Sequence, residues 1–259
     1  MKKKLRDRVK AAARCLVING FLPLSVLTLI SSPPASAGNF AISPIRLDFD
    51  AATKNSSITI TNTDTANLKV QVQLYEWVQD QNGKDSYIPS EDLLYFPRLA
   101  TIAGGSNQIV RVGLRVSPNE VTEKSYRLFV EELPDQKTRT GSQLTVALRF
   151  GVPLFIKPDK EEPRGKIESI SLDKGQLHVV VSNNGNVHFM ITSISVVSAD
   201  LYSAEMSGWY LLPAAKREYL FKVPPERCAK LKKIDVIVKT DRLMLERSLD
   251  TVPPMCSSK

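Results

Sequence analysis

The sequence predicts an all-β protein built as two β-sandwiches joined by a short linker. Short segments in which apolar and polar residues alternate recur along the chain, and Leu68–Leu74 is a clear example. Such alternation places the apolar side chains on one face of a strand. Turn residues such as Asn82-Gly83 separate these segments, and helical periodicity is almost absent. The alternation stops at the charged segment Asp159–Gly165, which contains a proline and a glycine, and resumes after it.

Several predicted strands lie on each side of this interruption. Before it they are Ile58–Thr61, Leu68–Leu74 and Gln108–Val116. After it they are Ile167–Leu172, Leu177–Ser182, Phe189–Val197, Tyr219–Val223, Ile234–Lys239 and Met244–Leu249. Regularly spaced short strands are typical of sandwiches or barrels rather than α/β folds. We therefore expect one domain over residues 38–158, a linker over 159–165 and a second domain over 166–259.

The first 37 residues have the composition of a secretory signal. Met1–Arg14 contains seven basic residues and one acidic residue, and the apolar run Cys15–Ile30 follows it. The segment ends in the small residues Ala35–Ala37, which suit a cleavage site. A membrane anchor is the alternative, but Asn19 and Pro23 interrupt a run that is already short for a span. We expect an exported protein that is not inserted in the membrane after cleavage.

Removal of this signal changes the meaning of the net charge. The whole chain is +8, with 35 basic and 27 acidic residues. Residues 1–37 contain seven of the basic and one of the acidic residues, so 28 basic and 26 acidic residues remain. A mature chain of about +2 gives no reason to expect nucleic acid as a partner.

The cysteines indicate a disulfide. Cys15 lies in the signal, which leaves Cys228 and Cys256 as a pair in an exported protein. Such pairs are commonly oxidised outside the cytosol. Two unpaired thiols are the alternative, and the spacing does not resemble a zinc site. We expect a Cys228–Cys256 bridge in the second domain.

Residue patterns that carry catalysis are not found in the sequence. His178 and His188 flank one predicted turn, and neither has a second ligand at metal-binding spacing, so both are interpreted as surface or strand-end residues. The adjacent carboxylates Glu131 and Glu132 point to opposite faces of a strand, which does not suit paired acid–base chemistry. No nucleophile elbow or phosphate-binding glycine loop occurs. We expect a protein that is not an enzyme and that needs no cofactor or metal.

The segment Gly141–Pro158 has the longest alternating pattern before the linker. Its apolar positions are Leu144, Val146, Leu148, Phe150 and Val152. As the last strand of a first sandwich, this segment suits an open sheet edge, where a long apolar strand needs a partner to cover it. An ordinary core strand explains the same pattern, and the pattern alone does not separate the two interpretations.

Five motifs together resemble the PapD-like periplasmic pilus chaperones over nearly the whole mature chain. The motifs are Ile42–Leu47, Ile58–Asn62, Gln108–Val112, Tyr126–Pro134 and Val152–Pro158. Each is weak alone, but their order and spacing together are specific. The Tyr126–Leu128 and Val152–Ile156 forms are most similar to the archaic branch of the family.

This resemblance implies two immunoglobulin-like domains, a location in the periplasm, and pilus subunits and an outer-membrane usher as partners. Chaperones of this family lend an edge strand to an unfinished subunit, a form of β-augmentation. Leu144, Val146, Leu148 and Phe150 would then be the donor residues. An adhesion module of two immunoglobulin-like domains, secreted or on the cell surface, is the alternative, and it gives no reason for a long apolar edge.

The resemblance also implies an anchor for the C-terminal carboxylate of the subunit. Members of the family use two basic residues, and Arg46 matches the first of them. The second is normally a lysine in the last strand, where this sequence has Pro153. Arg127 and Lys157 are the candidate replacements. Arg127 is favoured slightly, because a guanidinium binds a carboxylate through two hydrogen bonds.

Overall fold

The computed structural model describes residues 40–115, 121–133, 146–199 and 201–256. These residues form two β-sandwiches, so the all-β prediction is confirmed. The predicted signal at residues 1–37 lies outside the described residues, and so does Leu144. The described residues contain no helix that is long and apolar enough to cross a membrane.

The first sandwich consists of two facing sheets. Its strands are β1 (Phe40–Ser43), β2 (Leu47–Phe49), β3 (Asn55–Asn62), β4 (Leu68–Gln79), β5 (Asp85–Pro89), β6 (Leu93–Phe96), β7 (Leu99–Ile102), β8 (Asn107–Leu114), β9 (Lys124–Glu132) and β10 (Arg149–Ile156). One sheet has the order β1-β3-β8-β6, and the other has the order β2-β10-β9-β4-β5, with β7 paired to β4. The chain therefore changes sheets between β1 and β2.

The second sandwich has the same two-layer construction. Its strands are β11 (Gly165–Asp173), β12 (Gln176–Asn183), β13 (Phe189–Ser198), β14 (Tyr202–Met206), β15 (Tyr210–Leu211), β16 (Lys216–Lys222), β17 (Lys233–Thr240) and β18 (Met244–Asp250). The sheets run β11-β12-β16 and β14-β13-β17-β18, and β15 pairs with β13. A single α-helical turn, α1 (Pro225–Cys228), and a 3₁₀ turn (Pro253–Cys256) complete the described elements. The predicted disulfide joins these two turns, with Cα atoms 5.6 Å apart, and is confirmed.

The alternation in the sequence becomes the core of each sandwich. On β4, Leu68, Val70, Val72 and Leu74 are buried and the residues between them are not. Each deeply buried apolar side chain contributes about 1.5–3 kcal/mol relative to its exposed state, so these faces hold the sheets together. Val110 and Val112 on β8 behave in the same way. Val116 lies outside the described residues, and the strand itself ends at Leu114.

The predicted apolar strand at residues 144–152 begins later than the pattern suggested. Among the described residues, strand geometry starts at Arg149, and Val146–Leu148 precede it without regular strand structure. Side-chain alternation indicates which face a residue occupies when it is in a strand, but it does not determine where hydrogen bonding to a neighbour begins.

Candidate functional site

One side of β10 is largely open. On its inner side, β10 pairs with β9 over its full length, from Arg149 opposite Glu131 to Ile156 opposite Lys124. On its outer side, β2 pairs in parallel with Leu154–Ile156 alone. Among the described residues, no strand therefore covers the outer edge of residues 149–153. Pro153 lies in this stretch, and proline is tolerated at sheet edges because it has no N–H to donate.

The predicted donor residues differ in burial along this edge. Val146 is 61% exposed and Phe150 is 41% exposed, with the Phe150 ring 5.0 Å from that of Phe40. Leu148, in contrast, is half-buried and packs against the core of the first sandwich. Val152 is buried within that core. Among the described positions of the apolar pattern, Val146 and Phe150 are thus the exposed ones.

Arg46 lies immediately before β2 and is already paired. Its Nε donates to Asp48 Oδ2 at 2.9 Å, and its Nη1 lies 4.0 Å from Oδ2 of Asp241 in the second sandwich. Its Cζ also lies 5.5 Å from the centre of the Phe155 ring. Burial acts against the charged form, but Asp48, Tyr210 and Asp241 together raise the pKa of Arg46 above its ordinary value.

Arg127 has a different environment, although it lies on β9 directly opposite Pro153. The residue is 5% exposed, and its Nη1 donates to the carbonyl oxygen of Gly151 at 2.8 Å. Its Nε and Nη2 are buried without any hydrogen-bond partner in the described residues. Burial lowers the pKa of Arg127 below its ordinary value. The residue nevertheless stays charged, because guanidinium groups lose their proton only far above neutral pH.

Lys157 follows β10 and belongs to an ion-paired group at the linker. Its Nζ lies 3.3 Å from Glu161 Oε1, and Oε2 of the same carboxylate accepts a hydrogen bond from Arg242 Nη1 at 2.5 Å. The Lys157 charge is therefore already compensated within the chain.

Aromatic side chains connect the two arginines. The rings of Trp77, Phe155 and Tyr210 lie 5.5–6.2 Å from one another. Arg46 lies over Phe155, and Arg127 lies 3.9 Å over Trp77. Since Tyr210 comes from the second sandwich, both sandwiches contribute to one cationic and aromatic site. The sequence shows these aromatics only as isolated residues far apart in the chain, so no local pattern could have grouped them.

His188 corrects one of the sequence interpretations. It flanks β13 as a strand-end residue should, but it is completely buried and not on the surface. Its Nδ1 lies 2.7 Å from Glu123 Oε1, and its ring stacks on Phe155 at 3.6 Å. His178 lies near the surface, 2.8 Å from Glu218. The described residues contain no group of His, Cys, Asp and Glu side chains arranged to hold a metal ion.

Comparison with known proteins gives the same family as the sequence motifs. Residues 39–162 match the family model described as pili and flagellar-assembly chaperone, PapD N-terminal domain. No curated protein sequence matches the chain.

Three solved structures illustrate how widely this fold is shared. A chain of the CsuC–CsuE chaperone–tip adhesion subunit complex of archaic Csu pili from Acinetobacter baumannii has a TM-score of 0.58 at 22% identity, covering 80% of this chain and 97% of that one. A chain of the Salmonella enterica SafA pilin–SafB chaperone complex has a TM-score of 0.53 at 14% identity, covering 83% and 98%. The Pseudomonas aeruginosa CupB2 chaperone has a TM-score of 0.52 at 13% identity, covering 81% and 99%. At these identities the likeness establishes the fold.

Proposed function

We propose that this chain, whose residues 39–162 belong to the PapD N-terminal domain family of pilus chaperones, is a periplasmic chaperone of pilus subunits. It binds an unfinished subunit by donor-strand complementation and delivers it to an outer-membrane usher. In this proposal residues 38–158 form the subunit-binding domain, residues 159–165 the linker and residues 166–259 the second domain. The signal-like residues 1–37 direct export.

The open outer edge of β10 is the observation that carries the proposal. Residues 149–153 present backbone groups without a neighbouring strand among the described residues. An edge strand of this kind supplies backbone hydrogen bonds to an added strand, and these give affinity for any partner with an exposed sheet edge. An adhesion module has no need of such an edge beside the buried Arg127 and the half-buried Arg46.

The side chains beside the edge supply specificity. Val146 and Phe150 are exposed, and their separation of four residues would place both on one face if Val146–Leu148 extended β10 on binding. They would then fit pockets of a groove left by a missing strand. Leu148, which packs on the chaperone's own core, is the weaker donor candidate of the three described. Leu144 continues the same alternation toward the N-terminus and is the fourth candidate.

The arginine site is proposed to hold the C-terminal carboxylate of the subunit. Arg127 lies opposite Pro153, the position at which the family normally has its second basic residue. It therefore takes the place of the missing lysine, with Arg46 as the other member of the pair. Lys157 is the weakest of the three candidates because Glu161 already neutralises its charge.

Delivery to an usher requires a surface that stays accessible while the β10 edge is occupied. Leu94, Phe96, Leu99 and Ile109 are exposed apolar residues on β6, β7 and β8, away from that edge. A cluster of this kind on a protein surface is typical of an interaction site. We expect Phe96→Asp to leave subunit capture intact and to reduce transfer to the usher.

The central test is co-expression of the full chain with the pilus subunits encoded beside it, followed by purification through a tag on the subunit. Val146→Asp should reduce the recovered complex by about tenfold or more, because a charge is placed in an apolar pocket. The variant should keep the thermal unfolding transition of the unmodified protein. Val252→Asp is the matched control, since Val252 is also an exposed valine outside a strand.

Two results would contradict the proposal. The first is normal subunit capture by a folded Val146→Asp, Phe150→Asp double variant. The second is equal loss of capture by Val252→Asp, which would indicate a nonspecific effect of added charge.

A further inference from the structure

The two arginines of the site differ in how many of their hydrogen-bond donors already have partners. Arg46 is paired with Asp48 and lies near Asp241. Arg127 uses only Nη1, and its Nε and Nη2 have no partner in the described residues. The negative charge of Asp85 favours the charged form of Arg127. However, Asp85 Oδ1 accepts hydrogen bonds from Trp77 Nε1 at 2.9 Å and from Gln79 Nε2 at 2.8 Å.

The two unpaired nitrogen atoms of Arg127 indicate which kind of chemical group can bind there. Nε and Nη2 lie on the same edge of the guanidinium and point their N–H groups in parallel. A carboxylate binds this edge through two hydrogen bonds, one to each oxygen. A buried cation with unsatisfied donors is costly to the free protein, and a bound carboxylate removes that cost. The vacant edge therefore favours a carboxylate over a neutral group.

Aromatic side chains from both sandwiches lie around this guanidinium. Arg127 Cζ lies 3.9 Å from the centre of the Trp77 ring, 5.4 Å from Trp209 and 5.7 Å from Tyr210. The chain has two tryptophans, and both lie over this one guanidinium. Trp77 is fully buried and fixed by its hydrogen bond to Asp85, whereas Trp209 is 39% exposed. Of these aromatic groups, Trp209 is thus the most exposed to solvent, and Tyr210 is half-buried.

The backbone around Trp209 is held more firmly than its side chain. Its carbonyl oxygen accepts a hydrogen bond from the Ile191 N–H at 3.1 Å. At the preceding Gly208, an added Cβ would lie 2.4 Å from Ile191 Cγ2, so the chain runs tightly against β13. The backbone contacts therefore favour rotation of the indole over displacement of the segment.

We propose that Trp209 and Tyr210 of the second sandwich belong to the carboxylate site, and that the Trp209 side chain covers Arg127 until a carboxylate displaces it. The two-oxygen contact then forms at Nε and Nη2, and the indole moves toward solvent. The inference depends on the proposed function only in identifying the carboxylate as the C-terminus of a pilus subunit. The second sandwich thereby controls entry to a site whose cation lies in the first.

Tryptophan fluorescence of the full mature protein tests this inference without any subunit. Acetate is the probe, acetamide is its neutral isostere, and chloride at equal ionic strength controls for salt. Acetate should produce a saturable red shift of the emission as Trp209 becomes hydrated, and acetamide should produce none. Arg127→Lys should abolish the shift, because it keeps the charge but loses the two-donor edge. Trp209→Phe, which leaves Trp77 as the one fluorophore, should remove most of it.

The Trp209→Ala variant tests whether the Trp209 side chain blocks Arg127 or instead helps to hold the bound carboxylate. Because Trp209→Ala and Trp209→Phe lack the reporting indole, their acetate binding is measured by isothermal titration calorimetry. Removal of a cover should tighten acetate binding by about threefold to tenfold, since no displacement precedes contact. Weaker binding in Trp209→Ala or Trp209→Phe, or an unchanged shift in Arg127→Lys, would overturn the inference. If acetate binds as expected but no pilus subunit is captured, the cover is supported and the proposed function fails instead.

Discussion

The two sandwiches differ in the kind of residue exposed at their sheet edges. In the second sandwich β18 pairs with β17 alone among the described strands, and it exposes Glu246, Arg247 and Ser248. Arg247 also donates from Nη1 to the carbonyl oxygen of Ile167 at 2.9 Å, which ties this edge to β11. Charged edge residues discourage the addition of another strand, whereas apolar ones favour it. The open edge of β10, with its exposed apolar residues, is therefore where we propose that a partner strand adds.

The interiors of the two sandwiches also differ. A disulfide fastens the second sandwich, and Cys228 is part of its core. Residues 38–227 contain no cysteine, so the first sandwich has no disulfide. The sandwich with the open β10 edge is thus the one without a disulfide cross-link. Four predictions test or refine this comparison.

The largest effect is expected on β10 itself. Val152→Asp puts an uncompensated charge into the core of the first sandwich, where the valine is 4% exposed. The free energy of unfolding should fall by about 3–5 kcal/mol. Differential scanning calorimetry should show loss of the transition of the first sandwich and retention of that of the second. An equally destabilised Val146→Asp would contradict the burial difference between these two valines.

Removal of the disulfide should destabilise the second sandwich and leave the first unchanged. The bridge closes a loop with a sequence separation of 28 residues, and such a loop stabilises by about 3–4 kcal/mol through the entropy of the unfolded chain. The Cys228→Ala, Cys256→Ala double variant should lose this stability in the second sandwich only. Denaturant unfolding, followed separately by hydrogen exchange in β8 and β17, measures both. Reduction of the unmodified protein should reproduce the result.

The contact between the sandwiches is expected to contribute less than either core. Gly83, in the β4–β5 turn, has φ +73°, and an added Cβ would lie 2.7 Å from the carbonyl oxygen of Lys216 on β16. Gly83→Ala should cost about 1–2 kcal/mol of backbone strain in addition to this clash. Gly105→Ala is the matched control, because Gly105 has φ +68° and nothing within 4 Å of its Cβ position. Equal losses of unfolding free energy in the two variants would mean that the Gly83 turn contributes nothing to the contact between the sandwiches.

The smallest effect concerns the linker and acid pH. Burial opposes ionisation of Glu161, but hydrogen bonds and charges from Arg242 and Lys157 lower its pKa below the ordinary value. This contribution to stability is present above the ordinary pKa and disappears as the pH falls through the lowered one. It should amount to about 0–1 kcal/mol because the group is partly exposed. Glu161→Gln should flatten the pH dependence of unfolding below neutrality relative to the unmodified protein, and an unchanged slope would exclude the group.

Local patterns in the sequence were sufficient for most of the fold. The alternation at Leu68–Leu74 and Ile234–Lys239 gave strands with the correct buried faces, because side chains two residues apart share a face wherever the chain is extended. The short strands β1, β2 and β5–β7 were not predicted, since segments of three to five residues carry too little alternation to be distinguished. Among these is β2, whose three residues decide how much of β10 stays open.

The sequence by itself determined the class of fold and the family resemblance, and it predicted the Cys228–Cys256 pairing that the structure confirms. Each of these depends on residue types or on spacing along the chain. Only the tertiary structure decided that Leu148 packs on the core while Val146 and Phe150 are exposed. It alone brought Arg127 between Trp77 and Trp209, which lie 50 and 82 positions away in sequence. The physical reason is that alternation specifies the face of a strand, whereas contacts between distant strands are set by sheet order, register and the packing of one sandwich against the other.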